Sequence, residues 1–326
     1  MLVSLLILAL ILLLVGVLLV GVTVLLMALT LLRPPRMTDG KAASVLRRIS
    51  PGDLGMTFEE TRFDVRDART GHVLPVAAWW IPHPTARGKC AVLIHGYADG
   101  KVGAIAWAPM WQALGHHILA IDLRAHGYSG GTLTTAGYFE RHDLNQVIDQ
   151  LVAERPDDTR QLVLFGVSLG AAVALGTAQL RDDIDALVLE CPYADYLHGV
   201  AAHAAVMRTP LPSFVRVAYR LAQRFSGARF DEVKPLEMLA RVAVPAMVIE
   251  ADADPFVPPG DRHAIERVMR DRAARGLASV YWNVSEAAHV MGIVADAKEY
   301  AQRVGAFLKE LDAGTSTEAL FARTAP

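Results

Sequence analysis

The chain opens on an unbroken apolar run and then changes character. Residues 1–32 carry no charged side chain, and only Ser4, Gly16, Gly21, Thr23 and Thr30 interrupt the apolar positions. Such a run predicts one long helix that avoids water on every side rather than on one face. Beyond it, short β-branched runs alternate with longer stretches of helical period, the pattern of a mostly parallel sheet covered by helices. Strands are predicted over 58–65, 73–81, 90–95, 117–121, 162–166, 186–189, 246–250 and 280–283, the first two as an antiparallel pair turning at Thr70-Gly71. Helices are predicted over 104–114, 138–155, 169–181, 259–275 and 295–312. In the second of these Leu144, Val147, Ile148 and Leu151 form one apolar stripe, with Asp143, Asn145, Gln146 and Asp149 outside it.

One stretch breaks the alternation. Residues 193–239 hold room for two or three helices rich in Ala, Arg and aromatics, punctuated by Pro210 and Pro212. That is too long for an ordinary connection, and it predicts a helical cap over the carboxyl edge of the sheet. The expected organisation is an anchor at 1–32, a basic juxtamembrane linker at 33–56, a core at 57–192 and 241–312 interrupted by the cap at 193–240, and a tail at 313–326.

Composition sharpens this division. The chain has 326 residues, 53% apolar, with a mean hydropathy of +0.30, and much of that excess sits in the first 32 positions. The remainder is apolar to the degree expected of a globular domain, and it lacks a second long uncharged run, which excludes a polytopic membrane protein. Two cysteines, Cys90 and Cys191, do not make a disulfide scaffold and read as small buried hydrophobes. Charge follows the same boundary: Arg33, Arg36, Lys41, Arg47 and Arg48 stand against Asp39 alone, while the rest carries 27 basic and 33 acidic residues. A mildly acidic body offers no basic face to nucleic acid.

As a helix, the opening run would be about 46 Å long, against a hydrocarbon core of about 30 Å. A cleaved signal peptide would need a basic start, a shorter apolar core and a small-residue cleavage site. Here no Lys or Arg precedes Arg33, and the run ends in Met27-Ala28-Leu29-Thr30-Leu31-Leu32. An uncleaved single span in the inner membrane is expected, with the body on the cytoplasmic side by the positive-inside rule.

The chemistry centres on Gly166-Val167-Ser168-Leu169-Gly170, directly after a predicted strand and before a predicted helix. A nucleophile on so tight a turn needs small residues two before and two after it, and the turn sets Ser168 at a helix amino terminus, where free N–H groups favour negative charge. A serine hydroxyl needs a base, and the base an orienting carboxylate. His289 lies after the last predicted strand, and Asp254 lies at the carboxyl end of the strand before it; Asp252 and Glu250 are the rival acids. The adjacent pair His116-His117 and the pair His198 and His203, five apart, miss the helical spacing of a zinc site, and no metal is expected.

The order Ser168, Asp254, His289 is that of α/β-hydrolases. From about residue 57 to 311 the chain resembles capped α/β-hydrolases of the esterase, lipase and serine-aminopeptidase kind, and is especially similar to bacterial members with one amino-terminal membrane anchor. The resemblance rests on His95-Gly96-Tyr97, on Asp122 to Gly130, on Gly166 to Gly170, and on Asp254 to Pro258 with His289. It implies an α/β fold with an eight-stranded, mostly parallel sheet, a helical cap, and no cofactor. It also implies an oxyanion hole from the backbone N–H groups of Leu169 and Tyr97, favours Asp254 over Asp252 by its position before Val257-Pro258, and assigns structural roles to His95 and His126. Asp122 and Arg124 would tie the loop after the fourth strand to its neighbours. The expected activity is hydrolysis of a lipid-derived or acylglycerol-like carboxylic ester. A thioester or peptide substrate, and a binding module without turnover, remain as alternatives, and the oligomeric state is left open.

Overall fold

The computed structural model describes residues 2–209 and 212–313; Pro210 and nearly all of the expected tail lie outside the described residues. Eight strands form one sheet: β1 (Glu59–Arg66), β2 (Val73–Ile81), β3 (Lys89–Ile94), β4 (His117–Ile121), β5 (Gln161–Val167), β6 (Ala186–Glu190), β7 (Ala246–Ala251) and β8 (Ser279–Val284). Each lies within one residue, at both ends, of a strand predicted from β-branched runs. The spatial order is β1-β2-β4-β3-β5-β6-β7-β8. β2 runs antiparallel to both β1 and β4, and β3 through β8 are parallel to one another. The central strands are buried along their whole length because helices cover both faces, which is why they read as continuous apolar runs.

The helices, in chain order, are α1 (Leu2–Leu32), α2 (Asp39–Val45), α3 (Lys101–Ala104), α4 (Ala108–Ala113), α5 (Glu140–Glu154), α6 (Leu169–Ala178), α7 (Tyr196–Val206), α8 (Val215–Ser226), α9 (Pro235–Arg241), α10 (Pro259–Ala274), α11 (Gly292–Ala295) and α12 (Ala297–Asp312). The helix predicted over 104–114 is divided, with a 3-10 turn at Ile105–Trp107 joining α3 to α4. Likewise the last predicted helix breaks at Asp296, whose side chain accepts the Glu299 N–H at 2.8 Å and caps α12.

Alternate residues of β3 separate the two cores. Cys90, Val92 and Ile94 join α5, α6, α9 and α10, whereas Ala91 and Leu93 join α4 and α12. The apolar stripe of α5 is buried as predicted, but Asp143 is buried with it, because Arg124 reaches it with two hydrogen bonds of 2.6 and 2.7 Å. Of the three helices in the stretch predicted as a cap, α7 and α8 pack on each other, and α9 packs on α6 and α10 and completes the crossover from β6 to β7.

Helix α1 has two parts. Residues 2–19 are exposed on all sides, whereas Val20, Thr23, Val24, Met27, Ala28, Leu31 and Leu32 form an inward stripe at helical spacing. That stripe joins the same core as Ala218, Tyr219 and Ala222 of α8, against which α1 lies. The helix ends where Leu32 O accepts the Thr134 N–H at 2.8 Å, and the Tyr97 hydroxyl donates to Thr30 O. Beyond Pro34 and Pro35 the Arg36 guanidinium donates to the carbonyls of His126, Gly127, Ser129 and Gly131 at 3.3, 2.9, 2.6 and 2.7 Å. The basic stretch is thereby fastened to the loop after β4.

Candidate active site

The carboxyl ends of β3, β5, β6, β7 and β8 converge on one cavity of about 590 Å³. Its lining is mostly apolar, with Ser168 and His289 among the polar exceptions. That size and character suit a small-molecule site.

Ser168 follows β5 directly and stands before α6 at φ +52° and ψ −114°, a backbone conformation that costs about 1–3 kcal/mol and persists only when surroundings enforce it. The surroundings are visible. A Cβ on Gly166 would lie 2.3 Å from Gly170 O, and one on Gly170 would lie 2.1 Å from Ile94 O, so both positions exclude any side chain. The Ser168 N–H donates to Glu190 O at 2.8 Å, which fastens the turn to the end of β6. Other non-glycine residues at positive φ gather here as well: Ala136, Cys191 and Val290 also line the cavity, and Val290 is β-branched, for which this conformation is rare.

His289 and Asp254 meet as expected. The His289 Nδ1 lies 2.5 Å from Asp254 Oδ2, with the Asp254 side chain fully buried and the His289 side chain 21% exposed. The other carboxylate oxygen of Asp254 accepts the N–H groups of Phe256 and Val257 at 2.7 and 3.2 Å, which fixes the plane of the carboxylate. The rivals are placed elsewhere. Asp252 is exposed and its Oδ1 accepts the Glu286 N–H at 2.6 Å, bracing the loop that carries His289. Glu250 is fully buried, neither of its oxygens has a hydrogen-bond partner among the described residues, and burial raises its carboxyl well above the usual range.

Leu169 opens α6, so its N–H has no partner within that helix. Tyr97 follows Gly96, whose Cα faces the Ser168 side chain: a Cβ there would lie 3.5 Å from that of Ser168. The Tyr97 ring lines the cavity. His95 and His126 are buried behind this loop: Leu123 N–H donates to His95 Nε2 at 3.0 Å, and His126 Nδ1 lies 2.9 Å from Arg124 O. Asp122 accepts the N–H groups of Lys101 and Tyr128 at 2.6 and 2.9 Å, and so ties two loops together.

Two residues enter the site that sequence reasoning placed elsewhere. Cys191, read as a core hydrophobe, is free and buried and lines the cavity at φ +50°. Its Sγ lies within 4.8 Å of donor atoms of Asp254 and His289. Burial holds the thiol well above its usual range, its Sγ accepts the Val290 N–H at 3.4 Å, and Asp254 is engaged by three nitrogen groups. His203 comes from α7; its ring stacks on Phe256 with centroids 4.7 Å apart, and Phe256 in turn meets His289 edge-on. The hint was the aromatic content of the stretch over residues 193–239.

Comparison with known proteins now carries weight. Residues 85–237 match a family model described as serine aminopeptidase, S33, a span that includes Ser168 and ends before Asp254. The esterase Pf2001 of Pyrococcus furiosus superposes with a TM-score of 0.67 over 85% of this chain and 99% of its own, at 24% identity. The chain has the α/β-hydrolase fold. Among curated relatives, this chain is 26% identical over 237 residues to the uncharacterised protein YqkD of Bacillus subtilis, covering 72% of this chain and 75% of that one. It is 29% identical over 206 residues to a monoacylglycerol lipase of Mycolicibacterium smegmatis, covering 60% and 66%. Of six other curated relatives it matches, the chain spans 49–59% of their length.

Proposed function

We propose that the protein is a membrane-anchored serine hydrolase that cleaves a lipid-derived carboxylic ester through an acyl-enzyme. The observation that carries this reading is the 2.5 Å contact of His289 Nδ1 with the buried Asp254 carboxylate, in the same cavity as a serine held on a strained strand-to-helix turn. In the first step His289, oriented by Asp254, takes the Ser168 proton as Oγ attacks the ester carbonyl. The N–H groups of Leu169 and Tyr97 receive the developing oxyanion. The tetrahedral intermediate collapses to acyl-Ser168 as the imidazolium protonates the departing alcohol. Water, deprotonated by the same imidazole, then attacks the acyl carbonyl, and Ser168 leaves with the proton. The apolar lining favours an aliphatic acyl group, and the monoacylglycerol lipase among the relatives supports a lipid ester.

The anchor is α1, long and apolar enough to cross a membrane. A cleaved leader would not bury Val24, Ala28 and Leu32 in the core of the enzyme, so we read it as retained. The basic residues that follow the span, Arg33, Arg36, Lys41, Arg47 and Arg48, support a catalytic body on the cytoplasmic side. Digestion of the body by protease added to intact spheroplasts would overturn that orientation.

A fluorophosphonate probe tests the chemistry. The full-length protein in detergent is expected to be labelled and Ser168→Ala is not; no labelling of either would sink the enzyme reading. A panel of p-nitrophenyl esters, an acyl thioester and an aminoacyl amide then ranks the leaving groups.

A further inference from the structure

The cavity beside Ser168 has one wall that does not come from the hydrolase body. Thr30 and Leu31, from the last turn of α1, line it together with Met37 and Leu46 just beyond. This wall is fixed in place. The Tyr97 hydroxyl donates to Thr30 O, Leu32 O accepts from Thr134, and Arg36 is bound to four carbonyls of the loop after β4. The lining also includes two apolar side chains that stay open to the outside, Met291 at 47% and Val294 at 74% exposure.

Length places this wall relative to a bilayer. The 18 residues 2–19, exposed all round, would rise about 27 Å as a helix, close to the roughly 30 Å of a hydrocarbon core. The docked stretch from Val20 to Leu32 then lies at or just outside the membrane surface, with the cavity wall at its end. Exposed apolar side chains at the cavity suit a ligand arriving from hydrocarbon, because they cover its methylenes as it leaves the bilayer.

We propose that the last turn of α1 forms one wall of the acyl-chain subsite, so that the membrane helix selects the substrate as well as holding the enzyme to the bilayer. The ligand is a single aliphatic chain that passes along Leu31 to reach Ser168. The proposal rests on the serine-hydrolase reading above and adds to it the location and origin of the chain-length determinant.

Two measurements on the full-length protein in lipid nanodiscs test it. The first uses the wild type and a dodecyl fluorophosphonate with a diazirine at the far end of its chain. After labelling and illumination, the photo-adduct is expected on the peptide holding residues 30–46. Adducts on other segments alone, with Ser168 labelled, would overturn the subsite while leaving the hydrolase intact. Failure to label Ser168 would instead remove the hydrolase and the subsite together. The second compares p-nitrophenyl dodecanoate with the acetate: Leu31→Trp is expected to lower the ratio of their kcat/KM values by roughly tenfold, since one pocket side chain discriminates on that scale. A ratio that does not move refutes the proposal. If Leu31→Trp fails to fold, the crosslink on the wild-type chain still decides.

Discussion

At the scale of single residues, the division of labour between Asp254 and Asp252 is the most consequential. Two residues apart on one loop, they differ in what they accept: Asp254 Oδ1 is taken by two backbone N–H groups and Oδ2 faces His289, whereas Asp252 braces the backbone at Glu286. Asp254→Asn would keep the backbone contacts but offer an amide N–H to His289 Nδ1, favouring the tautomer that cannot accept the serine proton. The expected loss is on the order of 10⁴ in kcat, as for the same change in the chymotrypsin-type triad, with KM little altered. Asp252→Asn keeps an acceptor for Glu286 and is expected to cost little. Steady-state kinetics on a soluble short-chain ester would check both; an Asp252→Asn loss equal to that of Asp254→Asn would reverse the assignment.

At the scale of elements, the central strands β4, β6 and β7 were legible because each is buried on both faces and reads as a nearly continuous apolar run, whereas β1 was legible only from the alternation of Phe63 and Val65 with polar neighbours. The nucleophile turn was legible too, since only glycine fits two positions either side of Ser168. The docking of α1 was not. In a helix where nearly every position is apolar, an inward stripe has no hydropathy contrast, and the faint signal is its content of small residues, such as Thr23 and Ala28. The anchoring of Arg36 was equally hidden, because its partners are backbone carbonyls 90 to 95 positions away. Small residues on both sides, Ala28 on α1 and Ala218 and Ala222 on α8, are all but fully buried and let these helices approach closely. Ala28→Leu should therefore push them apart, at a cost of about 1–3 kcal/mol. A lower thermal midpoint with unchanged helical content, and faster proteolysis between α7 and α8, are the expected readouts. An unaltered midpoint would mean that α1 is not held by this contact.

At the scale of the whole molecule, the buried titratable groups oppose one another, and the opposition shapes its response to acid. Burial lowers His116 to about 4 and His126 to about 3, so the fold keeps both neutral. As pH falls below about 6.5, the unfolded chain takes up protons that the fold refuses, and stability drops by up to about 1.4 kcal/mol per pH unit for each histidine. Burial pushes Glu190 and Asp99 up to about 6, so each binds its proton more readily folded than unfolded. Their contribution is largest below the unfolded carboxylate range and is lost as pH rises through about 6; on acidification it offsets the histidine loss. Among these four groups the gains and losses oppose one another between about pH 6 and 4.5, and below that His126 continues to lose while Glu190 has nothing further to give. Glu190→Gln isolates the balance. The amide retains an acceptor for the Gly292 N–H, which Glu190 receives at 3.0 Å, but removes the titration. Between about pH 6 and 4.5 its midpoint should lose more on acidification than that of the wild type, because the stabilising proton uptake at Glu190 is gone. Parallel profiles for the two proteins would show that Glu190 does not change protonation on unfolding in this range.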